Sequence, residues 1–288
     1  MNKRNILLIV CSLILAAVLM HNSLGQDEVP GSSTFFAMDT CAPTGQMSLI
    51  KNWGYAGFSW RPGPEMGQII KDAARLNLKV YSVYAGLTLN SDGLSGDHLS
   101  TITALKDKGV MIWLPIMSKD FKVSSSDGDA VAVPDLRRIA DSAASNNVRI
   151  ALYPHTGFWV ERIQDAVRIA KKVNRPNFGV TFNLCHCLMV GDEEKIPELL
   201  TESLPYLFLV TINGADTGAG RTKWDRLIRP LDEGSKDLLP VLKRLKNLGY
   251  RGPIGLQGYG VKLPEGENLK RSWAAWQKLN KRLAEENN

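Results

Sequence analysis

His155 and His186 are two of the four histidines in this 288-residue chain, and each stands at the end of a short apolar run. The first run reads Ala151-Leu152-Tyr153-Pro154-His155, and the second reads Phe178-Gly179-Val180-Thr181-Phe182-Asn183-Leu184-Cys185-His186. Imidazole both takes up and releases a proton near neutral pH, so the pair suits general acid–base work, and both are the catalytic candidates. Other runs end in Asp39, in Trp60-Arg61, in Tyr84, in Asn213-Gly214-Ala215-Asp216 and in Gln257-Gly258-Tyr259. Hydrogen-bonding groups beside flat aromatic faces suit a sugar-like ligand. Asp39, Trp60, Tyr84, Tyr153, Asn213 and Asp216 are therefore the candidates for binding substrate. Cys185-His186-Cys187 has the look of a metal triplet, but on a strand the two thiols share one face and the imidazole takes the other, so joint ligation would need a bend. No H-E-x-x-H, G-x-S-x-G or C-x-x-C motif is present.

Eight apolar runs must position these ends: residues 35–38, 56–60, 79–85, 110–116, 148–153, 178–184, 207–212 and 254–257. Between them lie segments of helical period, at 48–52, 65–76, 97–108, 135–145, 158–173, 196–204 and 238–248, with a closing helix at 269–286. Strands that alternate with helices imply a parallel sheet, because each crossover returns the chain to the same edge direction. Lys51-Asn52-Trp53-Gly54-Tyr55-Ala56-Gly57 echoes Lys246-Asn247-Leu248-Gly249-Tyr250-Arg251-Gly252, and in each copy a helix ends at Gly before an apolar strand. No G-x-G-x-x-G follows any strand, which argues against an open dinucleotide-binding sheet. The expected fold is α/β, a single closed (β/α)8 barrel whose chemistry sits at the C-terminal ends of the strands.

The barrel is expected over residues 26–288, behind a cleavable signal peptide at 1–25. Lys3 and Arg4 precede fifteen uncharged residues, Ile6 to Met20, and Ser23-Leu24-Gly25 supplies small residues where a signal peptidase reads. The formal charge is +6, and removing Lys3 and Arg4 leaves +4. That charge is mild and scattered, so nucleic acid is not an expected partner. Cleavage leaves three cysteines, Cys41, Cys185 and Cys187, an odd number that cannot make a closed disulfide framework. A Cys41–Cys185 bridge stays open at this point.

The stretches at 151–155 and 178–186 resemble the xylose isomerase-like barrel superfamily, which includes tagatose and psicose epimerases. Pro230-Leu231-Asp232-Glu233-Gly234-Ser235-Lys236-Asp237 resembles that family's glycine-acid patch, and 249–257 its approach to the last strand. The resemblance implies a divalent metal held by a Glu on strand five, an Asp paired with a His on strand six, a His on strand seven and a Glu on strand eight. Here those positions carry Tyr153 (with His155 the nearest ligand), Asn183, Thr211 and Gln257, while His186 is kept. Amide oxygens bring no charge and cannot act as general bases, so Asn183 and Gln257 would hold Mn2+ or Mg2+ weakly, and no metal is the expected case. The expectation is an exported, periplasmic or secreted isomerase or epimerase acting on an unphosphorylated carbohydrate by proton transfer next to a carbonyl. A sugar-binding barrel without catalysis is the alternative, as is a glycan lyase or hydrolase working through Asp39, Asp216 and the histidines. After cleavage no stable membrane anchor is expected. N-terminal sequencing of the exported protein is expected to read from Gln26, within a few residues; an intact Met1 embedded in membrane would contradict the leader.

Overall fold

The computed structural model describes residues 31, 33–38, 43–264 and 266–285. The leader, Asp39 and Cys41 lie outside the described residues. Eight parallel strands close a barrel: β1 (Phe36–Met38), β2 (Gly57–Trp60), β3 (Lys79–Tyr84), β4 (Met111–Leu114), β5 (Ile150–Leu152), β6 (Phe178–Asn183), β7 (Leu207–Ile212) and β8 (Ile254–Gln257). Each strand pairs with its neighbours in sequence, and β1 pairs with β8 to complete the ring. Among the described residues no helix is long and apolar enough to cross a membrane.

The helix–strand junctions follow their local chemistry. At Gly54 (φ +95°) the amide donates to Lys51 O, and Tyr55 N donates to Ile50 O; Gly249 (φ +73°) and Tyr250 repeat this with Lys246 and Leu245. Only the residue in the left-handed region lets both bonds form, so the chain leaves the helix and enters the strand at a fixed angle. Asn77 and Asn147 do the same before β3 and β5.

Alternation along the strands divides the apolar residues into two cores. Ala37, Phe58, Ile112, Leu114, Ile150, Leu152, Val180, Phe182, Ile254 and Leu256 face outward onto the helices. Phe36, Met38, Tyr81, Met111, Trp113, Ala151, Tyr153 and Leu209 fill the inside of the barrel. A column of rings results: Phe36 stacks on Tyr81 at 4.7 Å, and Trp113 lies 6.1 Å from Phe36 and 5.3 Å from Tyr153. Tyr84 meets Tyr153 edge-on at 5.2 Å at the top of the column. Residues three apart on a regular strand face opposite ways, yet Tyr81 and Tyr84 both belong to this interior. The register shift between β2 and β3, where Phe58 pairs with Val80 and Ser59 with Ser82, reconciles them.

Some elements depart from the sequence expectation. The helix expected from Phe158 begins at Ile163, because Asp165 accepts from Arg162 N (3.0 Å) and Glu161 N (3.3 Å) and fixes the start there. The helix expected from Asp135 begins at Asp129 and carries Pro134 inside it. Beyond β3 and β4 the chain continues into a small sheet of Leu87–Asn90, Gly93–Ser95 and Ile116–Ser118, which was not anticipated. Leu184, expected on the sixth strand, opens a helix, Leu184–Met189.

The interior column leaves no room at residue 255. A Cβ there would stand 2.3 Å from Phe36 Cζ, against a ring that Tyr81 already holds. Gly255→Ala is expected to destabilise the fold by about 1–3 kcal/mol, read from the urea midpoint. An unchanged midpoint would show that the column is not rigid.

Candidate active site

A cavity of about 640 Å³ opens at the C-terminal ends of the strands. Met38, Ser59, Trp60, Arg61, Tyr84 and Trp113 line it from β1 to β4, and Tyr153, His155, His186, Gln257 and Tyr259 from β5 to β8. Trp224 and Ile228 come from the long segment after β7. The ring column forms the floor, with Trp113 and Tyr153 almost completely buried, whereas Tyr259 (63% exposed) and Trp224 (40%) stand at the rim.

Of the positions singled out in the sequence, Trp60, Tyr84, Tyr153, His155, His186 and Gln257 come together here. Asn213 and Asp216 do not. Asn213 Nδ2 donates to Leu227 O (2.6 Å) and Gly214 O (3.0 Å), and Asp216 accepts from Arg226 Nε (3.0 Å), Arg229 Nη1 (3.5 Å) and Ser235 N (3.3 Å). The Arg226 guanidinium holds the Asp216 carboxyl below the usual carboxylate range. Both residues staple the segment that carries Trp224 and Ile228 over the cavity, and neither lines it. A hydrolase pair of Asp39 and Asp216 loses its second member for the same reason. Trp224 escaped the sequence reading because it opens a helix of only four residues, Trp224–Leu227, too short to show a period. Trp113 sat unread inside an apolar run; its alternation with Met111 was the available signal.

His155 sits in a turn closed by Phe158 N donating to His155 O (3.0 Å) and His155 N donating to Val160 O (3.0 Å), and its ring stacks on Phe158 at 4.0 Å. His186 lies in the helix Leu184–Met189, directly after β6. This corrects the strand reading of Cys185-His186-Cys187: successive helical side chains fan about 100° apart. The imidazole faces the cavity while Cys187 Sγ lies near Asp192 O (3.9 Å) and Cys185 Sγ donates to Asn183 Oδ1 (3.0 Å). Burial, with Asp192 adding to it, pushes the Cys187 thiol up to about 12, so it stays protonated and a poor ligand.

The two imidazoles lie 4.2 Å apart, and one residue, Thr156, engages both. Its carbonyl takes a bond from His155 Nδ1 (2.9 Å), and a carbonyl can only accept, so the His155 proton is on Nδ1. Its amide gives a bond to His186 Nδ1 (3.2 Å), and an amide can only donate, so that nitrogen is bare and the His186 proton is on Nε2. The Thr156 hydroxyl stands at the same 3.2 Å from His186 Nδ1. Burial lowers the pKa of His155, partly offset by the Thr156 carbonyl, and burial together with the nearby His155 lowers that of His186 well below its ordinary value. Both are neutral at pH 7, with opposite tautomers: His155 Nε2 offers a lone pair and His186 Nε2 a proton.

The residues at the metal positions do not fit a hard divalent cation. Asn183 is buried, with Oδ1 accepting from Cys185 and Nδ2 donating to the Tyr153 hydroxyl. Gln257 Oε1 accepts from Tyr259 N (3.0 Å), and its Nε2 lies 3.4 Å from that same Tyr153 hydroxyl. A phenol oxygen therefore occupies the point where Asn183 and Gln257 converge, and both turn nitrogens toward it. Thr211 is buried off the cavity. Among the described residues no three His, Cys, Asp or Glu side chains gather as a ligand set.

Residues 96–279 match the xylose isomerase-like TIM barrel family. The chain belongs to that family. No curated protein matches it in sequence. An L-ribulose 3-epimerase structure is similar at TM-score 0.68 and 13% identity, covering 88% of this chain and 96% of that one. An IOLI protein with a bound zinc atom is similar at TM-score 0.62 and 17% identity, covering 88% and 98%. A xylose isomerase-like TIM barrel/4-hydroxyphenylpyruvate dioxygenase fusion protein is similar at TM-score 0.67 and 17% identity; 88% of this chain is covered, and the match spans 44% of the fusion. At these identities the structures show a shared fold.

Neutral histidines make the fold acid-sensitive. In the unfolded chain a histidine titrates near about 6.5, so below that pH the unfolded state binds protons that the folded state refuses, and stability falls as pH falls. At about pH 5.5 a histidine kept neutral in the fold costs about 1 kcal/mol. Urea midpoints measured between pH 8 and 5.5 are expected to drop, with a smaller drop in His186→Gln; equal slopes in both proteins would show His186 charged in the fold.

Proposed function

We propose that this family member is an exported isomerase or epimerase that moves a proton next to the carbonyl of an unphosphorylated sugar or sugar derivative. The observation that carries the reading is the pair of neutral histidines with opposite tautomers at the mouth of an aromatic cavity. His155 Nε2 is the base that removes the proton beside the carbonyl. His186 Nε2–H donates to the carbonyl oxygen as negative charge gathers on it. Buried rings on the floor and exposed Tyr259 and Trp224 at the rim exclude water and offer flat faces to a sugar ring. The kinship with epimerases such as the L-ribulose 3-epimerase supports the reaction class. The poor fit of Asn183 and Gln257 to a cation supports a route that needs no divalent metal, and the leader expected at 1–25 supports export.

A non-catalytic sugar-binding barrel is the second reading, favoured by one observation: among the described residues no carboxylate lines the cavity. Proton exchange separates the two. Incubation of a ketose panel with the protein in D2O, followed by NMR, is expected to show deuterium entering beside the carbonyl, with and without EDTA. His155→Gln is expected to slow exchange by about 10²–10⁴-fold, and Cys187→Ala to leave it nearly unchanged. Absence of exchange across the panel would favour the binding barrel. Exchange lost on chelation and restored by Mn2+ would overturn the metal-free route.

A further inference from the structure

Thr156 fixes the direction of the two imidazoles as well as their tautomers. It holds both rings by Nδ1, His155 through its carbonyl at 2.9 Å and His186 through its amide at 3.2 Å. Both Nε2 atoms therefore point away from Thr156, toward the cavity that both residues line. One ring follows β5 and the other follows β6, neighbours in the barrel, and their centroids lie 4.2 Å apart. Rings at that separation are in van der Waals contact, so no carbon of a ligand fits between them. Inversion at a carbon needs a base on one face and an acid on the other, each about 3–3.5 Å from the reacting atom. His155 and His186 cannot form such a sandwich; they meet a substrate from one side.

The same contacts sort the charge that each ring can take on. A carbonyl on Nδ1–H favours a positive imidazole, which suits His155 to receive a proton from carbon. On His186 the Thr156 amide and hydroxyl, each 3.2 Å from the bare Nδ1, favour negative charge, so Nε2 can give a proton to oxygen and take one back. A base beside a neutral imidazole that trades protons with oxygen is the equipment for moving a carbonyl to the next carbon. From this one-sided geometry we infer that the site is an aldose–ketose isomerase, which shifts the carbonyl between C1 and C2 through an enediol and inverts no stereocentre. His155 Nε2 takes a proton from C1 of a ketose. The C1–H pair becomes the C1=C2 bond, the C2=O2 pair moves to O2, and O2 takes the proton of His186 Nε2. His186 then recovers a proton from the O1 hydroxyl, whose O–H pair closes the C1=O1 bond. The C1=C2 pair takes up at C2 the proton that His155 carries, on the face from which it left. Both histidines end as they began. The inference rests on the proton-transfer reading above and selects one of its two reaction classes.

The test uses the mature full-length protein with D-fructose, D-tagatose and D-xylulose in D2O, the products being identified by NMR. Recovered ketose is expected to carry one deuterium at C1, in a single diastereotopic position. The aldose is expected as one C2 epimer, with C3 unlabelled. His186→Gln keeps an N–H donor at the oxygen but cannot take a proton back. It is expected to raise the ratio of C1 exchange to aldose formation by about tenfold or more, and the exchange that survives reports a folded site. An unchanged ratio, deuterium at C3, a C3-epimerised ketose or both C2 epimers of the aldose would overturn the inference and leave the proton-transfer reading standing. Asp39, placed by the sequence at the end of β1, would be identified as an opposing base by a C3 epimer that disappears in Asp39→Asn. Absence of exchange at any carbon would overturn both.

Discussion

The barrel is organised around a steric constraint at its centre: the Phe36 ring stands where any side chain at 255 would stand. With β8 reduced to glycine at that point, Phe36, Tyr81, Trp113 and Tyr153 stack as one column instead of the layered aliphatic packing common in such barrels. The column sets the depth of the site. Its upper members are at once the last layer of core and the floor of the cavity, so packing and recognition share the same rings. The shift in register between β2 and β3 belongs to the same constraint, since it keeps two tyrosines of one strand on the inside.

Above that floor, polar groups are fixed mainly by main chain. Thr156 sets both imidazoles, Tyr259 N sets the Gln257 amide, and Leu227 O and Gly214 O set Asn213. The positions that the resemblance assigns to metal ligands carry a hydrogen-bonded cluster centred on the Tyr153 hydroxyl. Replacing charged ligands by amides alone would leave buried polar atoms without partners. The phenol from β5 reaches into that space and satisfies nitrogens from β6 and β8.

Much of this was legible in the sequence. Runs of apolar residues located all eight strands, and Gly or Asn at the preceding helix end marked those after Gly54, Gly109, Asn147 and Gly249, because a left-handed cap is a local requirement that few residues meet. His155, His186, Trp60, Tyr84, Tyr153 and Gln257 were found by strand polarity alone, since the end of a parallel strand sets where its next side chain emerges. Strand polarity failed at Asn213 and Asp216, whose partners lie 14 and 10 to 19 residues further along a segment with no periodicity. It also failed at Leu184, where an unbroken apolar run changes from strand to helix without a turn residue between them. Which nitrogen of His186 carries the proton was not legible, because the Thr156 amide that decides it lies 30 residues away in the chain.

The Thr156 contacts carry a consequence for how this site changes over time. The carbonyl and the amide that polarise the two imidazoles are peptide groups, present for every residue at 156 except proline, which has no amide N–H. Other point substitutions there can trim the hydroxyl but leave both main-chain contacts, and so both tautomers, in place. Only a change in the course of the turn between β5 and the helix Ile163–Val173 could exchange the two tautomers. Substitutions among the rim aromatics and Arg61 can therefore alter the mouth of the cavity while the two imidazoles keep their opposite tautomers.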